Sequence, residues 1–161
     1  MNLIRCLAAR NKFTVKISVE KITAQSFRKY GWLIEYPKKH LKGNKKNLWR
    51  IVHKEPKTYG WRIAYLVVRD KTIRRLEQHL HSFESFEPIC GRSLLYVAQK
   101  QDLKSIKCFK LDRPIILKKK VWHGIVTTVK ESEIKLTENA FVKCVYWKLG
   151  FKLPKEKKNK S

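Results

Sequence analysis

The chain is predicted to be a mainly β domain, a small barrel or sandwich carrying one or two short covering helices. Three observations predict it. Short runs rich in β-branched and aromatic residues recur along most of the sequence. Turn signals at Arg69-Asp70, Cys90-Gly91, Gln101-Asp102 and Asp112-Arg113 separate several of them at regular spacing, as in all-β sandwiches and barrels. Only one segment carries helix start and stop signals.

From Phe13 to Val19 apolar and polar residues alternate, with Phe13, Val15, Ile17 and Val19 on one side, the period of a half-buried strand. Thr23 then offers an N-cap, Ala24 to Tyr30 a helix of roughly two turns, and Gly31 its stop. Residues Tyr36 to Thr58 are rich in Lys, Asn, Pro and Gly. Only Leu48, Trp49, Ile51 and Val52 form an apolar cluster there, so the segment reads as loop around one short strand. Strands are expected at Gly60 to Val68, Arg74 to His81, Ser93 to Ala98, Ser105 to Leu111, Pro114 to Leu117, Lys120 to Thr127 and Phe141 to Trp147. One domain spanning 13–153 is expected, preceded by an extension over 1–12 and followed by a disordered basic tail over 154–161.

Composition narrows the function classes. With 43% hydrophobic residues in 161, the chain has enough apolar material for a packed core and too much for a disordered segment. There are 38 Lys and Arg against 13 Asp and Glu, a formal charge of +25. That balance attracts nucleic acid or anionic surfaces. Lysines spread over every loop, as at Lys38 to Lys46, Lys118 to Lys120 and Lys155 to Lys160, equally describe a general solvated coat. Cys6, Cys90, Cys108 and Cys144 lie far apart without a C-x-x-C pair and read as buried thiols. No apolar run reaches the roughly 18 residues of a membrane span, and the first ten residues lack a secretory pattern, so a cytoplasmic protein without a membrane partner is expected.

In an extended strand, residues two apart share a face, so Arg75, Glu77, His79 and His81 line one side and Leu76 and Leu80 the other. Facing inward, the polar row has to bind itself, a metal or a ligand; facing outward, it is merely solvated. The alternation leaves both arrangements open. His79-x-His81, then Glu84, then Gly91, with His123 on a later strand, resembles the paired cupin motifs. That resemblance implies a double-stranded β-helix, or jelly-roll, barrel. It also implies one divalent metal, Mn, Fe, Ni or Zn, on His79, His81, Glu84 and His123, although such a row can be hydrogen-bonded with no metal at all.

A wider resemblance involves Phe27, Tyr30-Gly31, Ile34-Glu35, Leu76-Glu77, His79, Phe86, Pro88, Gly91 ahead of Leu94 to Ala98, and Val121-Trp122-His123. In order and approximate spacing these are similar to the ureidoglycolate lyase family. Membership would imply a homodimeric cupin-like enzyme of allantoin degradation, in purine catabolism, splitting a small anionic substrate into glyoxylate and urea. Glu77, His79 and His123 would be catalytic, and Arg75, Lys118, Lys120 and Trp122 would bind substrate. The sequence departs from the family at Leu80 and at Gly124-Ile125, where prolines and a second histidine are usual. A metal-binding cupin acting on another small acid or sugar, as isomerase or sensor, fits the double histidine. A basic nucleic-acid-binding β module fits the charge, though Glu77, Glu84 and Glu87 place negative charge near any groove.

Overall fold

A computed structural model describes residues 3–7, 14–35, 51–55 and 60–153. Twelve strands, one short α-helix and one 3-10 turn (Leu103–Ser105) make up the regular structure of those residues, which is mainly β as expected. In chain order they are β1 (Leu3–Leu7), β2 (Thr14–Lys21), α1 (Ala24–Phe27), β3 (Gly31–Leu33), β4 (Trp61–Val68), β5 (Ile73–His79) and β6 (Glu84–Cys90). There follow β7 (Ser93–Ala98), β8 (Lys107–Leu111), β9 (Ile115–Leu117), β10 (Trp122–Thr127), β11 (Ser132–Asn139) and β12 (Cys144–Leu153).

The strands form two sheets: β1-β2-β8-β7-β10-β5-β12 and β3-β9-β6-β11-β4. Among the described residues no ladder joins one sheet to the other, so the arrangement is a pair of facing sheets and not the closed barrel expected from the motifs. Leu3–Leu7, within the expected N-terminal extension, is a strand paired antiparallel with β2. The tail over 154–161 and the apolar pair Leu48 and Trp49 lie outside the described residues.

Helix α1 starts where the sequence places it. The Thr23 hydroxyl accepts from the Ser26 amide while Ser26 accepts from the Thr23 amide, a reciprocal capping box. The α-helix ends at Phe27, earlier than Tyr30, because the Tyr30 amide bonds back to the Phe27 carbonyl and tightens the last turn. Gly31 follows in β3, where a side chain is excluded: a Cβ there would sit 1.8 Å from the Ile116 carbonyl oxygen.

Two apolar layers hold the sheets. Leu95, Val97, Phe109 and Leu111 from the first sheet meet Phe86, Ile115, Leu117, Ile134 and Leu136 from the second, forming the core between them. On the far face of the seven-stranded sheet, Leu76, Leu94, Tyr96, Trp122 and Val126 pack under Leu149, Phe151 and Leu153 of β12. That second layer buries β7 on both faces, which is why its sequence after Ser93 is an apolar run. It also settles the direction of β5: Leu76 enters the outer layer, so Glu77 and His79 turn toward the space between the sheets. Among the cysteines whose side chains are described, the expectation of buried thiols holds for Cys108; Cys90 is exposed at the end of β6, Cys144 is half-buried, and the Cys6 side chain lies outside the description.

Candidate metal centre

Five side chains from four strands converge between the sheets. Glu77 and His79 come from β5, His123 from β10, Glu84 from β6 and Glu138 from β11. Cross-strand register puts them together: His123 pairs with Glu77 in one sheet, and Glu138 with Glu84 in the other. His79, His123, Glu84 and Glu138 are each more than nine-tenths buried. Four ionisable groups rarely share so dry a space without a partner to satisfy them.

Their inner atoms have none. His79 Nδ1, Glu84 Oε2, His123 Nε2 and Glu138 Oε2 are buried and make no hydrogen bond. His79 Nδ1 lies 3.6 Å from Glu84 Oε2 and 3.4 Å from Glu138 Oε2. His123 Nε2 lies 3.1 Å from Glu84 Oε2 and 3.6 Å from Glu77 Oε1. Donors about 2.1 Å from a tetrahedral or octahedral ion stand roughly 3.0–3.4 Å from one another; two of these spacings fall in that range and two lie just above it. Two overlapping triads bring their donor atoms within 4.8 Å of one another, Glu77/His79/His123 and His79/Glu84/Glu138, with His79 common to both.

The supports outside the cluster fit the same reading. His123 Nδ1 lies 3.0 Å from the Val121 carbonyl, an arrangement in which Nδ1 donates and the Nε2 lone pair is left facing the carboxylates. Burial, the largest single influence, works to lower the His123 pKa. The negative charge of Glu84 close by, aided by Glu77 and the Val121 carbonyl, outweighs it, and the net direction is upward. On the other side, Arg62 Nε and Nη2 both donate to Glu138 Oε1, at 2.9 and 2.7 Å, leaving Oε2 toward His79. With both imidazoles neutral, as metal ligation requires, three carboxylates and one guanidinium leave two negative charges, the complement of one divalent cation.

The site is reached through a cavity of about 460 Å³ lined by Arg75, Glu77, His123, Tyr146 and Lys152. Strands β5 and β10 are tied by the His123–Glu77 pairing and again where the Thr127 amide bonds the Asp70 carbonyl; the cavity opens between these ties. Arg75 lies over the Tyr146 ring, 4.5 Å from its centroid. A second cavity of about 330 Å³ reaches Glu84 and Glu138 past His53 and Phe83. Burial, the main cause, pushes the His53 pKa down.

Of the residues singled out in the sequence, Glu77, His79, Glu84, His123 and Arg75 are brought together. Four others are placed elsewhere. His81 is exposed in the bend after β5, because the chain leaves the sheet at Leu80 to cross to β6. Lys118 bonds the Arg28 carbonyl at 2.6 Å and lies beside Trp32. Lys120 is exposed at a positive-φ turn, its amide tied to the His79 carbonyl. Trp122 points into the outer layer, 6.0 Å from the Trp147 ring, since its neighbour His123 takes the inner face. Sequence reasoning missed Glu138 and Arg62. The available signal was the alternation Ser132, Ile134, Leu136, Glu138, an acid closing a core-facing row.

No family model matches the chain, and no curated protein resembles it in sequence. Solved structures with some likeness include a mutant of Bacillus subtilis oxalate decarboxylase and a dTDP sugar isomerase from Desulfovibrio desulfuricans G20. The first has a TM-score of 0.43 at 15% identity, over 56% of this chain and 24% of that one. The second has a TM-score of 0.42 at 15% identity, over 68% of this chain and 73% of that one. The chain thus spans about a quarter of the decarboxylase. Both are likenesses of distant outline.

Proposed function

We propose that the protein is a divalent-metal enzyme acting on a small anionic substrate, in the manner of a ureidoglycolate lyase. The observation that carries the metal is the set of buried, unpartnered nitrogen and oxygen atoms on His79, His123, Glu84 and Glu138. Imidazole and carboxylate donors together suit Mn, Fe, Ni or Zn. Bound there, such an ion supplies Lewis-acid polarisation of a substrate oxygen.

The remaining chemistry falls to residues of the cavity. Arg75, exposed and held against Tyr146, is suited to receive a substrate carboxylate through paired charge-assisted bonds. Glu77 lines the same cavity, its side chain 39% exposed, and is the one carboxylate of the cluster that a ligand can touch readily. Acting as base, it takes the carbinol hydroxyl proton while the carbonyl forms and the C–N bond breaks. Returned to the departing nitrogen, the same proton gives neutral urea beside glyoxylate, and the balance closes. His79 and His123 serve as ligands here, which removes them from proton transfer.

Elemental mass spectrometry of the tag-free protein, with a His79→Ala/His123→Ala double variant beside it, tests the site. Near-stoichiometric metal lost in the variant is expected; an equal content in both would refute it. A glyoxylate-release assay tests the reaction. Glu77→Gln should lower kcat by 10²-fold or more, on the order expected for a lost general base, while metal content is kept. Unimpaired turnover removes Glu77 from the mechanism.

A further inference from the structure

The cavity that reaches the candidate metal centre is bordered by an irregular stretch of the β5–β12 ladder. Lys148 stands opposite Arg75 and Leu153 opposite Ile73, so residues 149–152 of β12 face Arg74 alone. A bulge re-aims the side chains that it carries, as bulges beside active sites commonly do. Leu149 and Phe151 anchor this one in the outer apolar layer. Gly150, at φ +73° with open space around it, lets the backbone turn between them. Lys152 is left exposed, and it lines the cavity together with Arg74 and Arg75.

The lining holds more positive charge than one substrate carboxylate can use. Its own carboxylates, among the described residues, are Glu77 and Asp70. Glu77 is already counted against the ion of the proposed metal centre. Arg74, Arg75 and Lys152 then stand against Asp70 and leave an excess of two positive charges. Arg75 lies over the Tyr146 ring and, like Arg74, has no ion pair among the described residues. Like charges gathered around a concave space repel one another and focus an attractive field on anions. At about 460 Å³ the cavity falls in the range of pockets that enclose drug-sized ligands, so a small monoacid held at its metal end leaves the mouth unfilled. We propose that the substrate carries a second anionic group: its first carboxylate meets the ion and Arg75, and the second group, a carboxylate or a phosphate, meets Lys152 and Arg74. The inference rests on the reading of this cavity as the substrate's place in a metal enzyme.

NMR titration of the Zn²⁺-loaded full chain tests it, at fixed ionic strength, with three 2-hydroxy acids. Lactate has one anionic group, malate adds a carboxylate, and 3-phosphoglycerate adds a phosphate. A two-anion acid should bind roughly 10–100-fold tighter than lactate, the worth of hydrogen bonds to a charged group, and the tighter of the two identifies the second group. Arg74 and Lys152 are both exposed, so Arg74→Ala/Lys152→Ala should fold, lose the preference and keep the affinity for lactate. Lys152→Arg should retain the preference. Equal affinities for the three acids overturn the second site and leave the metal end standing. A preference that persists in the double variant overturns it too, since the overall charge of +25 then accounts for the attraction. If none of the acids binds, the cavity is not the substrate's place and the proposed function falls with the inference. Should the double variant misfold, Lys152→Gln alone decides by the same criterion.

Discussion

Arg62 illustrates how much one side chain can do without adding stability. Its own side chain is 52% exposed, and an ion pair at such a position contributes little to folding in water. Both its nitrogens nevertheless grip the same oxygen of Glu138, fixing the carboxylate so that the other oxygen faces His79. Outer supports of this kind are typically worth about 10–100-fold in metal affinity. Arg62→Gln should therefore weaken binding of Zn²⁺ or Mn²⁺ by that factor, measured by competition with a chromophoric chelator. The metal-free melting temperature should stay close to that of the natural chain. An unchanged affinity would show that Glu138 is aimed by its strand alone. Most of the cluster was legible in the sequence, because Glu77 and His79 share a strand face and His123 closes the Val121-Trp122-His123 run that carries the family resemblance. Two ligand assignments were not. His81 has the right period for the β5 face, but period two has no meaning once the chain has left the sheet, and β5 stops at His79. Glu138 reaches Glu84 only through the β11–β6 ladder, a long-range pairing that no local pattern specifies.

The elements tell a similar story of local legibility and long-range surprise. Strand β7 is visible as an apolar run, and α1 as a capped start. Strand β6 was hidden, since Glu84–Cys90 holds a proline and only one β-branched residue, and its place comes from being sandwiched between β9 and β11. The glycine at the β6–β7 turn was legible as a turn signal, and the structure shows what it is for. Gly91 has φ +80°, and a Cβ there would meet Ser132 Cβ at 2.5 Å and the Glu131 carbonyl at 2.7 Å. Gly150 has a similar φ of +73° but open space around it. The pair separates two costs. Gly150→Ala should lose about 1–2 kcal/mol, the left-handed backbone penalty alone. Gly91→Ala should lose roughly a further 1–3 kcal/mol through forced displacement of the β11 entry. Urea denaturation of both variants gives the comparison; equal losses would mean that β11 yields freely.

Across the whole molecule, the candidate metal centre is a cross-link between two sheets that otherwise meet through apolar contact. Its imidazoles stand on the seven-stranded sheet, and Glu84 and Glu138 on the five-stranded one. An ion bound only by the folded chain stabilises it by mass action, about 2.7 kcal/mol at a hundredfold excess over Kd. Added Mn²⁺ or Zn²⁺ should raise the melting temperature in a concentration-dependent way, EDTA should reverse the rise, and the His79→Ala/His123→Ala variant should show neither effect. A shift that persists in the variant would place the ion elsewhere.

The scattering of these donors along the chain also has a kinetic side. Between Glu77 and Glu138 the polypeptide crosses between the two sheets five times, and the five side chains come together only after the ladders joining β10 to β5 and β11 to β6 have closed. Ladders between distant segments close late, since the entropy of the intervening loop is lost before any contact is gained. The binding centre is thus a product of complete folding and cannot serve as its nucleus. A chain still being synthesised has only part of the donor set until β11 has been made, since Glu138 stands near its end.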